Sequence, residues 1–170
     1  TNHRFGSYAE YICLPEDWSI ALKPANISHN EAAATPYGGL LAMHILSKTS
    51  IQKGDEVLIY GASGSIGTMA VQLAKIAGAN VTAVCSGKNV DLVKSLGSDR
   101  VIDYTLQGAE KQLSTYKYVL DAVGNSKSSI LKEKSKKALH ENGKYISIDT
   151  GVPKTPRSAF IQLKNYLAAG

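Results

Sequence analysis

Short apolar runs alternate with helical periodicity along most of the chain. Residues 57–60 predict a buried parallel strand, because apolar side chains follow one another there without alternating with polar ones. Later runs predict four more strands, at 81–85, 101–102, 118–120 and 145–148. Helical patterns lie between or before them, at about 31–48, 66–77, 89–96, 106–114 and 127–140.

Strands that alternate with helices predict an α/β fold, a doubly wound parallel sheet (Rossmann-like) with helices on both faces. Right-handed crossovers bring the carboxyl ends of the strands to one rim, where ligands bind in such folds. The loops expected at that rim are 61–66, 85–88, 103–105, 121–125 and 149–152.

The turn after the first strand contains only small residues and leads directly into a helical pattern. Ala62, Gly64 and Gly67 match a dinucleotide fingerprint in which alanine replaces the first glycine. Gly64 is expected to let a diphosphate approach, and Gly67 to let the helix pack against the strand. A P-loop is excluded, because Gly67 is followed directly by Thr68 and not by lysine.

The end of the second strand favours one coenzyme over another. NAD-binding folds present Asp or Glu there, about 20 residues past the glycines, to the ribose hydroxyls. This chain has Ser86, Gly87 and Lys88, with no carboxylate before Asp91. A hydroxyl and an ammonium attract a 2′-phosphate that a carboxylate would repel. NADP(H) is therefore favoured over NAD(H), and the alternative is that Lys88 is an ordinary surface lysine.

Composition is that of a single globular domain of 170 residues with a net charge of +5. No apolar stretch reaches membrane-spanning length, the amino terminus has no signal-peptide pattern, and two cysteines are too few for a disulfide framework. We therefore expect a cytoplasmic protein without a membrane partner. The densest basic run, Lys132 to Lys137, is interpreted as a solvated helix face. RNA binding is the weaker alternative, because no aromatic residues are interleaved with these lysines.

Ten short motifs occur in the order typical of medium-chain dehydrogenase/reductases, and together they cover the chain up to about residue 149. The chain resembles that superfamily, and the GASGSIG turn is similar to its quinone oxidoreductase branch. The motifs are GSYAEY at 6–11, LKP at 22–24, EAAA at 31–34, KGDEVL at 53–58, GASGSIG at 61–67, QLAK at 72–75, GA at 78–79, LGSD at 96–99, VIDY at 101–104 and DAVG at 121–124.

The resemblance implies contacts to NADPH at three places: the diphosphate, the 2′-phosphate and the nicotinamide ribose. The residues are, in that order, Ser63, Gly64, Ser65 and Ile66; Ser86, Lys88 and Tyr104; and Val123 and Gly124. Two alternatives stay open, since Tyr104 could be an aromatic that packs on the sheet and Val123–Gly124 a plain strand-ending turn. No catalytic acid can be named. Tyr37 is a candidate by analogy, and a packing role is preferred for it.

Zinc-dependent members of the superfamily carry a cysteine in the segment written here as Ala34 to Gly38. Pro36 or Tyr37 takes its place in this chain, and neither is a usual zinc ligand. The four histidines are scattered along the chain. We therefore predict no metal site, with the substrate oxygen polarised by hydrogen bonds.

The resemblance also implies a longer parent. Residues 1–23 would be the end of a GroES-like catalytic domain, 24–152 the NADP-binding domain and 153–170 the start of a return segment. The parent would pass hydride from NADPH to a quinone, enone or aldehyde, and the fragment alone would be inactive. Alternatives are a non-catalytic dinucleotide-binding module and an enoyl-reductase portion of a larger synthase. An unpaired sheet edge would favour a homodimer.

Overall fold

A computed structural model describes residues 9–126, 128–151 and 156–169. Its centre is one sheet of five strands, all parallel, in the order β3-β2-β1-β4-β5. The predicted doubly wound parallel sheet is therefore confirmed. The strands are β1 Glu56–Tyr60, β2 Asn80–Cys85, β3 Arg100–Asp103, β4 Tyr116–Asp121 and β5 Leu139–Ser147.

Five α-helices accompany the sheet in the described residues. They are α1 His29–Leu46, α2 Ser65–Ile76, α3 Val90–Ser95, α4 Ile130–Lys137 and α5 Arg157–Ala169. Helix α1 begins with a capping box, in which Ser28 and Glu31 satisfy each other's backbone N–H groups. None of these helices combines the length and the apolar character that a membrane crossing requires.

Alternate residues of β1 face opposite sides of the sheet, and each side is covered. Val57 and Ile59 pack with residues of α1 and α2, including Ala42. Leu58 packs with Leu131 of α4 on the other face. Helices therefore cover both faces, as the alternation of strands and helices predicts. The carboxyl ends of β1, β2 and β4 consequently form one rim between the two helical layers.

Two predicted helices are wrong in extent. Residues 106–114 form only a short 3₁₀ turn, Ala109–Gln112, because Gly108 before it adopts a left-handed φ of +77°. The helix predicted at 127–140 ends at Lys137, and β5 already begins at Leu139. The first part of β5 contains His140, Glu141, Asn142 and Gly143, so it does not form a recognisable apolar run. The pairing of β5 with β4 also slips between Tyr116 and Tyr118.

The predicted domain boundaries lie near the two ends of the chain. Residues 9–23 contain no helix or strand, and Tyr11 and Leu22 are strongly exposed. Helix α5 packs on α1, where buried Leu163 lies against Gly39. Residues 6–8 of the GSYAEY motif and residues 152–155 lie outside the described residues. The boundaries near 23 and 152 stay predictions.

Candidate functional site

A cleft of about 540 Å³ opens at the carboxyl ends of β1, β2 and β4. Four of the nine predicted site residues line it: Ser63, Gly64, Tyr104 and Val123. The full lining is Tyr60, Gly61, Ser63, Gly64, Cys85, Tyr104, Ala122, Val123, Ser128 and Ser129. The cleft therefore lies at the rim that the strand order predicts for ligand binding.

Close backbone packing shapes the turn between β1 and α2. Gly61 has a φ of +82°, and a Cβ added to Gly67 would lie 2.1 Å from the Gly61 carbonyl oxygen. No side chain can fit between them, so helix α2 starts directly against the end of β1. The close contact expected at Gly67 is thus confirmed.

The first turn of α2 is suited to an anion. Gly64 is its N-cap, and in the described chain no side chain caps it and no acidic residue lies in its first turn. The N–H groups of this turn have no partner within the helix, and they form the positive end of the helix dipole. The side chain of Ile66 is buried, so Ile66 can offer only its backbone N–H, whereas Ser65 is exposed. The turn therefore fits a diphosphate.

One amide connects this turn to the next loop. Asn89 Nδ2 donates to Ser63 Oγ at 3.0 Å and to Ser86 Oγ at 3.1 Å. A hydroxyl that accepts one hydrogen bond still has its own hydrogen to donate. Both serines can thus donate to phosphate oxygens while Asn89 holds them. The sequence analysis did not identify Asn89, because this residue lies outside the dinucleotide fingerprint.

The loops after β2 and β3 lie side by side. The Tyr104 N–H donates to the Cys85 carbonyl at 3.0 Å, which brings Tyr104 next to Ser86. Tyr104 is 53% exposed, and Lys88, in a 3₁₀ turn at Gly87–Asn89, is also exposed. Both side chains are therefore accessible to a ligand in this corner.

A carboxylate that sequence reasoning missed shares this corner. A Cβ added to Gly87 would lie 2.5 Å from Asp103 Oδ2. Hydrogen bonds from the Thr105 hydroxyl and then from the Thr105 N–H lower the pKa of Asp103, so it is charged at neutral pH. The loop after β2 has no carboxylate of its own, but Asp103 at the end of β3 places a negative charge in the same corner.

Two aspartates hold the loop at 122–125. Asp121 Oδ1 accepts from the N–H groups of Val123 at 3.0 Å and Gly124 at 3.1 Å. Asp149 Oδ2 accepts from the N–H of Asn125. Since these three N–H groups are occupied, a ligand would meet other atoms of Val123 and Gly124.

Lys132 corrects the interpretation of the basic run. It is 3% exposed, and its Nζ lies 2.8 Å from Asp121 Oδ2, so this lysine does not belong to a solvated face. Lys134 on the same helix is exposed, as predicted. The Tyr145 hydroxyl also donates to Asp121 Oδ2, at 2.6 Å. Burial and this hydrogen bond raise the pKa of Tyr145, which keeps its proton at any physiological pH.

Two further candidates can be assigned. Burial, and then the charge of Asp103, raise the pKa of the Cys85 thiol, which makes Cys85 a core residue and not a nucleophile. Tyr37 is 71% exposed in the described part of the chain, and the packing role preferred for it stays a prediction. Among the described residues, no cluster of three or more His, Cys, Asp or Glu side chains could hold a metal ion.

A family model described as zinc-binding dehydrogenase matches residues 65–167, which is more than half of the chain. The chain belongs to the zinc-binding dehydrogenase family. The expected relation to medium-chain dehydrogenase/reductases of the quinone oxidoreductase type is confirmed, because the chain is 40% identical to the chloroplast envelope quinone oxidoreductase homolog of Arabidopsis thaliana over 154 residues, 86% of this chain and 46% of the relative. The family takes its name from zinc, while the absence of a metal site in this member stays a prediction.

Relatives of this zinc-binding dehydrogenase family member are oxidoreductases. The chain is 41% identical to the mitochondrial NAD(P)H oxidoreductase RTN4IP1 of Mus musculus over 129 residues, 71% of this chain and 32% of the relative. It is 35% identical to the chloroplastic NADPH-dependent alkenal/one oxidoreductase of Arabidopsis thaliana over 164 residues, 95% of this chain and 40% of the relative. The chain thus spans well under half the length of these two relatives.

A solved structure gives the same picture for the fold. An NAD-dependent alcohol dehydrogenase superposes with a TM-score of 0.75 at 31% identity, over 96% of this chain and 49% of that one. The names of these two relatives and of the alcohol dehydrogenase differ in the coenzyme, which is NAD(P)H, NADPH and NAD in turn.

Proposed function

We propose that this chain is the NADPH-binding part of an oxidoreductase that reduces a quinone, an enone or an aldehyde. The observation that carries the proposal is the uncapped first turn of α2, whose N-cap Gly64 lines the cleft and which packs against the end of β1 through Gly67. NADPH, when bound, supplies the hydride. The names of the NADPH-dependent and NAD(P)H-dependent relatives support this class of reaction.

The chain's own residues would bind and orient the coenzyme. The N–H groups of Ser65 and Ile66 and the Ser63 hydroxyl would donate to the diphosphate. The Ser86 hydroxyl, the Lys88 ammonium and the Tyr104 side chain would surround the 2′-phosphate. Val123 and Gly124 would border the nicotinamide ribose. Catalytic residues are not assigned, and the metal-free reaction, the cytoplasmic location and the homodimer remain part of the proposal.

The choice of NADPH over NADH depends on Lys88 and is tested with fragments of the coenzyme. We expect 2′,5′-ADP to bind the 170-residue chain about tenfold more tightly than 5′-AMP, because the ammonium attracts the extra phosphate. Calorimetry with Lys88→Glu should reverse that order. Lys94→Glu, the same charge change at an exposed position of α3, should keep it. Equal affinities of the wild type for the two fragments would reject NADPH.

Turnover separates a reductase from a non-catalytic module. The complete gene product should oxidise NADPH in the presence of a quinone or an α,β-unsaturated ketone. Binding of NADPH without turnover on any quinone, enone or aldehyde would favour the dinucleotide-binding module.

A further inference from the structure

The strand order predicts where each half of a bound dinucleotide must lie. With the diphosphate at the end of β1 and the adenosine half over β2 and β3, the other half extends over β4, on the opposite side of β1. The loop at 122–125, which follows β4, therefore meets the nicotinamide half.

Buried side chains bind both the N–H groups and a carbonyl oxygen of this loop. Asp121 accepts from the N–H groups of Val123 and Gly124, and Lys132 Nζ donates to the Gly124 carbonyl oxygen. Gly124 has a φ of +66°, and a glycine can adopt more backbone conformations than any other residue. The hydrogen bonds to its N–H and to its carbonyl oxygen together hold the backbone in this one conformation.

The cost of burying Lys132 calls for a reason beyond packing. Lys132 and Asp121 are 3% and 1% exposed, and an apolar pair of similar volume is commonly as stable as a buried ion pair. The ammonium also stands 5.9 Å from the centre of the Tyr60 ring, and Tyr60 lines the cleft. All of these contacts are made to groups at the rim.

We infer that Lys132 is a positioning residue, which fixes the loop at 122–125 for the nicotinamide half of the coenzyme. The inference rests on the proposed function. Lys132 itself is buried below the loop and does not touch the ligand. Its removal should therefore weaken binding of a whole dinucleotide and spare ligands that contain only the adenosine half.

The test compares NADPH with 2′,5′-ADP on the double variant Lys132→Met/Asp121→Asn. This variant leaves no unpaired buried charge, and the amide oxygen introduced at position 121 can still accept from the loop. We expect NADPH affinity to fall roughly tenfold and 2′,5′-ADP affinity to stay within about twofold. The matched control is Lys134→Met, which removes an exposed ion pair with Glu110 from the same helix and should change neither affinity.

Two results would overturn the inference: an equal loss for both ligands, which indicates a purely structural role, or no loss for either. If the double variant does not fold, Lys132→Arg decides, since it keeps a positive charge beside Asp121 but replaces the ammonium that donates to the Gly124 carbonyl oxygen with a planar guanidinium. An unchanged ratio of the two affinities in Lys132→Arg would then refute the positioning role. Failure of the wild type to bind either ligand would instead refute the proposed function.

Discussion

Gly38 of α1 lies directly against Ser65, the first residue of α2. A Cβ added to Gly38 would stand 2.3 Å from the Ser65 carbonyl oxygen and 2.5 Å from its Oγ. The helix that precedes the sheet therefore supports the turn that is proposed to bind the diphosphate. A glycine outside the fingerprint is thus as closely packed on the site as Gly67 within it.

Gly38→Ala should lower the free energy of unfolding by about 1–3 kcal/mol, because α1 must move away from the backbone of α2. Gly39→Ala is the matched control. Its Cβ would lie 2.7 Å from Leu163 Cδ1, the end of a side chain that can rotate, and alanine favours the helix by about 1 kcal/mol. Urea titrations should show a loss for Gly38→Ala that clearly exceeds that for Gly39→Ala. Equal effects would contradict the packing argument.

Gly67 and Gly64 should separate folding from binding. Gly67→Ala places a Cβ 2.1 Å from Gly61 O and 2.7 Å from Ala62 Cα, both backbone atoms, so it should cost more than about 2 kcal/mol of stability. Gly64→Ala meets only Gly61 O at 3.5 Å, and its φ of −82° suits alanine. Gly64→Ala should therefore change the free energy of unfolding by less than about 0.5 kcal/mol. It should weaken NADPH binding about tenfold, because the added Cβ stands where the diphosphate is expected to approach. Unchanged binding by Gly64→Ala would argue against a diphosphate at this turn.

Asp103→Asn should strengthen binding of 2′,5′-ADP, by about threefold at low salt, because a negative charge leaves the corner that holds Lys88. The asparagine oxygen can still accept from Thr105, while the hydrogen bond that the carboxylate accepts from the Gly87 N–H is lost. Asp91→Asn, at an exposed position of α3, is the control and should have a smaller effect. Calorimetry that shows weaker binding for Asp103→Asn would indicate that the carboxylate supports the site.

Asp99 should make stability depend on acid pH. Burial acts to raise its pKa, but hydrogen bonds from Lys75 Nζ at 2.9 Å and the Val81 N–H at 2.6 Å outweigh burial, so the pKa in the folded state is lowered. The contribution of Asp99 to the free energy of unfolding is therefore fully present above the unfolded-state pKa of about 3.9, and it is lost as pH falls through the folded-state pKa. Urea titrations at about pH 7, 4 and 3 should show a smaller acid loss for Asp99→Asn than for the wild type. The exposed Glu141→Gln should follow the wild type.

The sheet and its rim could be predicted from the sequence because they depend on local signals. The run at 57–60 and the small residues at 61–67 each act on the neighbouring backbone, and both are found where expected. Lys132 could not be predicted, since its burial depends on Asp121, which lies on another element. Asp103 was missed for the same reason, because it lies at the end of β3 and its carboxylate reaches Gly87 of the loop after β2.

The amide of Asn89 has one further consequence. An amide nitrogen carries two hydrogens, and Asn89 uses both to fix Ser63 and Ser86 at a set separation through hydrogen bonds within the protein itself. The entropy of ordering the two loops is therefore lost during folding, and a dinucleotide does not lose it again on binding. Because of this preorganisation, the affinity of the cleft for a dinucleotide depends on Asn89, even if Asn89 does not contact the coenzyme.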